Sequence, residues 1–185
     1  MSVRWRACGA RMVLAVVCVT TLGCFGSSPT SSRVTLHVEV TDPTGDAPTS
    51  AVVPNPPDLV RAVVDVDRGD ITFAIRFAPG WDQATTFLTI DLDVDQNAGT
   101  GVPGAGIGVE YEFAPSGVVR FDGMTATVVG TPAVAILADG MNLTAPLSLL
   151  GGDDGRMDFR VRVHHSLQPA FDFLPDVNLA AGRVE

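Results

Sequence analysis

The chain contains no lysine: its 12 basic residues are all Arg, set against 21 acidic residues. A lysine Schiff base is therefore excluded as a route to covalent chemistry. The three cysteines, Cys8, Cys18 and Cys24, all fall within the first 24 residues. Beyond them the chain has no means of forming a disulfide, a thiolate metal site or a cysteine nucleophile. Aromatics are scarce too, with one Trp (Trp81) and one Tyr (Tyr111) after residue 24. No window shows sustained helical periodicity, and Asn142–Leu150, the one ambiguous stretch, is interrupted by Pro146. There is no Gly-x-Ser-x-Gly elbow, no His-Glu-x-x-His and no Walker-type loop. The glycines of Gly99-Thr100-Gly101 and Gly104–Gly108 precede no helical pattern, so they read as a flexible connection and not as a phosphate loop. The excess of acid repels phosphate backbones, which argues against a nucleic-acid partner.

What is present begins with an export leader. Arg4, Arg6 and Arg11 form a positive segment with no acidic residue before Glu39, and Met12 to Val19 follows as a short apolar core. That order is a secretory signal peptide. The apolar stretch from Met12 to Phe25 falls short of the roughly 20 residues a helix needs to cross a bilayer. Leu22-Gly23-Cys24 resembles the lipobox of bacterial lipoproteins. The resemblance implies cleavage after residue 23, acylation of Cys24 and a cell-envelope address, with the outer membrane or cell surface favoured because Phe25 is not the aspartate of an inner-membrane retention signal. Removing residues 1–23 leaves nine Arg against 21 acidic residues, a formal charge of −12. Residues 24–32 are small and polar. The eight residues from Phe25 to Ser32 would span about 16 Å as a flexible tether, at ~5–6 Å × √n.

From residue 33 the hydrophobic period is two. Val34, Leu36, Val38 and Val40 alternate with polar residues, as do Ile71, Phe73, Ile75 and Phe77, and Met157, Phe159, Val161 and Val163. Each run reads as a strand with one face on a core and one in water. Less regular runs occur at 59–66, 86–94, 109–113, 118–121, 124–129 and 133–137, punctuated by Gly, Pro, Asp and Asn. About nine short strands in one domain, 33–185, predict an all-β antiparallel sandwich of immunoglobulin-like or jelly-roll-like type. The expected core includes Val34, Leu36, Val38, Ile71, Phe73, Ile75, Leu88, Ile90, Leu92, Phe159 and Val161. Tyr111 and the Phe residues at 77, 113 and 121 join it by the same parity.

The order Asp42-Pro43-Thr44-Gly45-Asp46, then Asp58-Leu59-Val60 opening a strand, then Ile71–Phe77, resembles family 9 carbohydrate-binding modules and DOMON-like domains. So does the run from Phe87 to Gly101, where an aspartate-ended strand enters a Gly/Asn loop and returns as Gly108-Val109-Glu110-Tyr111-Glu112-Phe113. Phe171–Asp176 fits the closing pattern of such domains. The resemblance covers roughly residues 36–185 and implies the sandwich fold far more than any ligand, since the aromatic platform such modules use for sugars is largely missing here. A heme role would need an axial pair, and no spacing singles one out among Met124, Met141, Met157, His37, His164 and His165.

Two features carry candidate chemistry. Trp81, in Pro79-Gly80-Trp81-Asp82, is the ligand-binding candidate if its ring faces solvent, since a sugar's C–H groups pack on flat aromatic faces. The simpler expectation is a ring folded back as a lid over one end of the sandwich. The second feature is a calcium site at Asp91, Asp93, Asp95, Asn97 and Glu110. Three aspartates at every second position crowd the face opposite Leu88, Ile90 and Leu92. Neighbouring carboxylates ~7 Å apart repel by ~2.4 kcal/mol at an effective dielectric constant of 20. A hydrated strand face is the alternative to a cation. Gly99 and Gly101 permit the chain to curl, and hard oxygen donors without His or Cys favour calcium, in a structural role.

The function expected is a membrane-tethered, non-catalytic module that binds a glycan or an envelope protein. The alternative is a small envelope hydrolase in which Asp91 and Asp93 act as paired carboxylates. An accessory subunit that depends on a partner is a third reading. The first two differ on whether Asp91 and Asp93 line an open cleft with aromatic walls or converge on a closed ion site.

Overall fold

Alternating residues with branched or aromatic side chains cannot bury one face alone, so the strands pair edge to edge and stack as two sheets. A computed structural model describes residues 35–185 of the chain. The leader, Cys24, the tether and Val34 lie outside the described residues. The strands are β1 (Leu36–Thr41), β2 (Leu59–Asp67), β3 (Asp70–Phe77), β4 (Thr86–Asp93), β5 (Val102–Gly104), β6 (Ile107–Val109) and β7 (Tyr111–Ala114). They continue as β8 (Gly117–Asp122), β9 (Thr125–Gly130), β10 (Ala133–Leu137), β11 (Gly140–Pro146), β12 (Met157–His165), β13 (Asp172–Leu174) and β14 (Gly182–Val184). The chain is an antiparallel β-sandwich.

One sheet runs β1-β2-β3-β11-β10 and the other β13-β12-β4-β7-β8-β9, with β14 also on β12. The core lies between them. Phe73 of β3 reaches across to Phe113 of β7 and Phe159 of β12, with ring centroids 5.2 and 6.4 Å apart. Ile71, Ile75, Leu88, Ile90, Leu92, Val161 and Tyr111 are buried with them, as expected from parity. Leu36 and Val38 are only half-buried, because β1 is an edge strand where the core runs out.

Three expectations are corrected. Phe121 does not join the core. Tyr111 stands opposite Arg120 and Phe113 opposite Val118, so Val118 points inward and Phe121 falls on the outer face of its sheet. The glycine-rich connection is not featureless, since β5 and β6 form a small hairpin beside β4. The ambiguous stretch is a strand through Pro146, followed by one 3-10 turn over Leu147–Leu150.

Candidate functional site

The outer face of β4 departs from the usual pattern. Strand alternation sends Leu88, Ile90 and Leu92 inward and Asp91 and Asp93 outward, yet both aspartates are buried, with 4% and 1% exposure. Burying a carboxylate is costly unless it is hydrogen-bonded or paired. The two are compensated in different ways.

Asp93 turns toward the loop that follows. Its Oδ1 accepts the Asn97 N–H at 2.9 Å and its Oδ2 the Gly108 N–H at 3.1 Å. Glu110 accepts the Val94 N–H at 3.0 Å, and Asp95 shares the Asn97 N–H at 3.0 Å. Asp93, Asp95 and Glu110 each offer a carboxylate oxygen within 4.8 Å of the others. Thr100 Oγ1 lies 2.8–3.0 Å from oxygens of Asp95, Glu110 and the Asn97 carbonyl. A hydroxyl has one proton to donate, so it cannot serve all these acceptors at once. Burial pushes the Asp93 and Glu110 carboxyls up; the Gly108 and Asn97 amides hold Asp93 partly down, and the Thr100 hydroxyl and then the Val94 amide do so for Glu110. The loop is tight: a Cβ at Gly108 would stand 2.3 Å from the Thr100 carbonyl oxygen. The Asn97 side-chain oxygen caps the loop by accepting the Gly99 N–H at 3.1 Å.

Asp91, expected as a member of that set, is drawn away from it. Its carboxylate accepts both contacts of Arg162 Nε, at 3.2 and 3.0 Å. Arg162 also donates through Nη2 to Glu112, which stands opposite Asp91 on β7. Burial raises the Asp91 carboxyl, while the charge and hydrogen bond of Arg162 oppose that rise. One strand face therefore holds an ion-paired aspartate and a loop-capping aspartate.

A second acidic cluster lies elsewhere. Asp42, Asp46 and Asp176 bring oxygens within 4.8 Å of one another. Asp58 accepts the Gly45 N–H at 2.8 Å, and Asp172, only 3% exposed, accepts the Leu59 N–H at 2.7 Å. Unlike the β4 loop, this cluster has unmet acceptors: Asp42 Oδ2 and Asp58 Oδ1 are buried without a hydrogen-bond partner. Burial, then the charges of Asp46, Asp176, Asp172 and Asp58, pushes the Asp42 carboxyl up to about 7. Burial first, with Asp46 and Asp58, pushes Asp172 up to about 6. The one cation beside the cluster among the described residues, Arg160, donates to the main-chain carbonyls of Pro175 and Asp176 and to none of these carboxylates, and hard oxygens of this kind suit a divalent ion. Nothing in the sequence marks this cluster as a site. These positions stood out only as turn and strand-opening residues, and no spacing announces that residue 42 meets residue 176.

Trp81 folds back on the sandwich. Its ring stacks on Phe77 at 4.8 Å between centroids, and its Nε1–H donates to the Ala138 carbonyl at 2.9 Å. The ring stays half-buried and forms one wall of an open cleft of about 420 Å³. Prolines 54, 56 and 57 line the cleft, and Asn55, Asp82 and His165 supply its polar groups. His164 points elsewhere, stacked on Phe87 at 5.0 Å. No protein-family model matches the chain, and no curated protein matches it.

Proposed function

We propose that the protein is a non-catalytic binding module of the cell envelope, tethered to a membrane through a lipid on Cys24 and stabilised by calcium, that holds a glycan in the Trp81 cleft. Trp81 is folded back over the end of the sandwich, the simpler of the two expectations, but its half-buried ring still lines the cleft. That fixed ring is the observation that carries this reading. Phe77 beneath it and the Nε1–H bond to Ala138 hold it in place, so a ligand would meet a flat, prearranged aromatic wall. Around it Asn55, Asp82 and His165 offer the donors and acceptors that hydroxyl groups need.

The hydrolase alternative is less well supported: of the two aspartates only Asp91 lines an open cavity with aromatic walls, and Asp93 does not reach it. A carboxylate pair must be free to exchange protons with substrate. Asp91 is tied to Arg162, and Asp93 is tied to two backbone amides. Calcium would be held by Asp93, Asp95 and Glu110, by the Asp42, Asp46 and Asp176 set, or by both, and would pin loops to the sandwich. Its role is structural, with Asp58 of the second cluster also lining the Trp81 cleft, so that an ion there would steady one side of it. Affinity electrophoresis of the domain from Cys24 onward against a panel of polysaccharides, with and without chelator, tests the reading. Retardation by at least one glycan is expected, and passage unretarded through all of them contradicts it.

A further inference from the structure

A sheet edge exposes a row of main-chain N–H and C=O groups, and native proteins blunt such edges with charge, proline, bulges or short strands. Among the described residues, three of the four edges of this sandwich are treated in that way. β1 carries Glu39, paired with Arg61 of β2. β13 and β14, which share one edge, are three residues long, and the pairing of β9 with β8 is irregular between Val118 and Val119. β10 has none of these devices. Ala133–Leu137 pairs with β11 in unbroken register, holds no charged residue and no proline, and is exposed along its whole length.

The surrounding chain shares this character. No charged residue occurs between Asp122 and Asp139, in a chain of net charge −9. Of the ten large hydrophobic residues exposed among the described residues, five fall in that stretch: Met124, Val128, Val134, Ile136 and Leu137. Only Thr131 and Pro132 separate β9 from β10, so the apolar run borders both sheets on one flank. Val134 and Ile136 stand opposite Leu143 and Met141 of β11 and therefore share their core-facing side. Yet they are 39% and 40% exposed, against 0% and 2% for those partners. The core ends one strand short of covering them.

The residues of β10 specify what covers them. With Ala135 as centre, the strand Ala133-Val134-Ala135-Ile136-Leu137 is self-complementary in antiparallel pairing. A two-fold axis there sets Val134 against Ile136 twice on the core side and joins four β-branched side chains, which pack well on a pleated surface. On the outer side Ala135 meets its own copy, and each Ala133 meets a Leu137, small against large. The same symmetry sends the two copies of Asp139 to opposite ends of a strand ~17 Å long at ~3.4 Å per residue, beyond the ~8 Å reach of charge at physiological salt. Two molecules of this net charge repel over the rest of their surfaces, and here they meet with no charge between them. A strand of another protein would satisfy the same main-chain groups, but the match of Val134 to Ile136 about a central alanine is a property of a second copy.

We propose that β10 pairs with β10 of a second copy about a two-fold axis at Ala135, joining two five-stranded sheets into one continuous sheet. The assembly is closed, because the pairing uses the one open β10 edge of each copy. A five-residue edge buries less than the ~1,600 Å² of a standard interface, so the dimer dissociates on dilution.

The test is sedimentation velocity of the full chain in density-matched detergent over a hundredfold range of concentration. The wild-type chain should pass from monomer to dimer and stop there. Ala135→Lys and Ala135→Glu, at an exposed position on the outer side of the strand, should each stay monomeric, because residue 135 faces its own copy. An equimolar mixture of the two variants should restore the dimer through a facing pair of opposite charge, which neither a foreign partner nor non-specific aggregation reproduces. A wild-type monomer at every concentration, assembly past the dimer, or failure of the mixed variants to associate overturns the proposal. If either variant does not fold, hydrogen exchange of the wild-type chain decides. Amides of 133–137 should gain protection with concentration while those of β1 do not, and protection independent of concentration overturns it. No residue of β10 lines the Trp81 cleft, so this pairing and glycan retention fail separately.

Discussion

Asp91 and Asp93 stand two residues apart on the same face of the same strand, and they belong to different structures. The carboxylate of Asp91 is held by Arg162, 71 positions away in the chain, and that of Asp93 by the amides of Asn97 and Gly108. The outer face of β4 is thus divided where the strand gives way to its loop. Residues before that point look across the sheet to β7 and β12, and residues after it look into the curl that returns as β6.

That division shapes the first prediction, which concerns calcium. Excess calcium should raise the calorimetric unfolding midpoint above its value in chelator, because an ion bound only by the folded state adds to its stability. Asp93→Asn and Asp42→Asn should each reduce the calcium-dependent increment if both clusters bind, and Asp91→Asn should leave it intact. An identical midpoint in calcium and in chelator means that the carboxylates are compensated by hydrogen bonds and water alone.

The second prediction is a pH dependence. Asp42 and Asp172 have folded-state values of about 7 and about 6 against an ordinary 3.8. A carboxyl raised in this way binds its proton more readily in the folded state than in the unfolded one. Its contribution is therefore fully present below pH ~4 and is lost as pH rises through the folded value. The unfolding midpoint in chelator should fall from about pH 5 to about pH 8. Asp42→Asn should flatten that slope, and saturating calcium should flatten it too, since an ion replaces the protons.

The third prediction tests the register of the core. Phe73→Ala removes the ring that meets both Phe113 and Phe159, and should cost ~3–5 kcal/mol through lost burial and a cavity. Urea unfolding measures it. A wild-type midpoint would mean that the register is wrong and Phe73 does not point inward, since a one-residue slip exchanges the faces.

The fourth prediction concerns the tether. Cys24→Ala should either release the protein from membranes or leave the leader uncleaved, as read by detergent partitioning and by the mass of the chain. Membrane association unchanged in that variant would place the anchor elsewhere.

Much of the fold was legible in the sequence, for a physical reason. Where one strand face is buried and the other wet, as in Ile71–Phe77 and Met157–Val163, the period of two is written in the residues themselves. Strands of three residues carry no period, which is why β5, β13 and β14 escaped notice, and Pro103 in β5 further disguised that strand. Parity alone places Phe121 on the wrong face because Val118 and Val119 are both apolar, and only pairing with β7 decides which of them points inward. Of the candidate site, the acidic crowding on β4 could be read locally. Its partition could not, because Arg162 and Glu112 reach Asp91 only through the sheet order. The cluster of Asp42, Asp58, Asp172 and Asp176 was hidden for the same reason.

The central claim is that Trp81 forms the wall of a glycan-binding cleft, and one property of the chain makes it directly testable. Once residues 1–23 are removed, Trp81 is the only tryptophan left, so intrinsic tryptophan fluorescence reports on that cleft alone. Titrating the domain from Cys24 onward with a polysaccharide that retards it in affinity electrophoresis should produce a saturable change in emission. Trp81→Phe should reduce the retardation severalfold. Retardation accompanied by unchanged Trp81 emission, and undiminished in Trp81→Phe, would contradict the account.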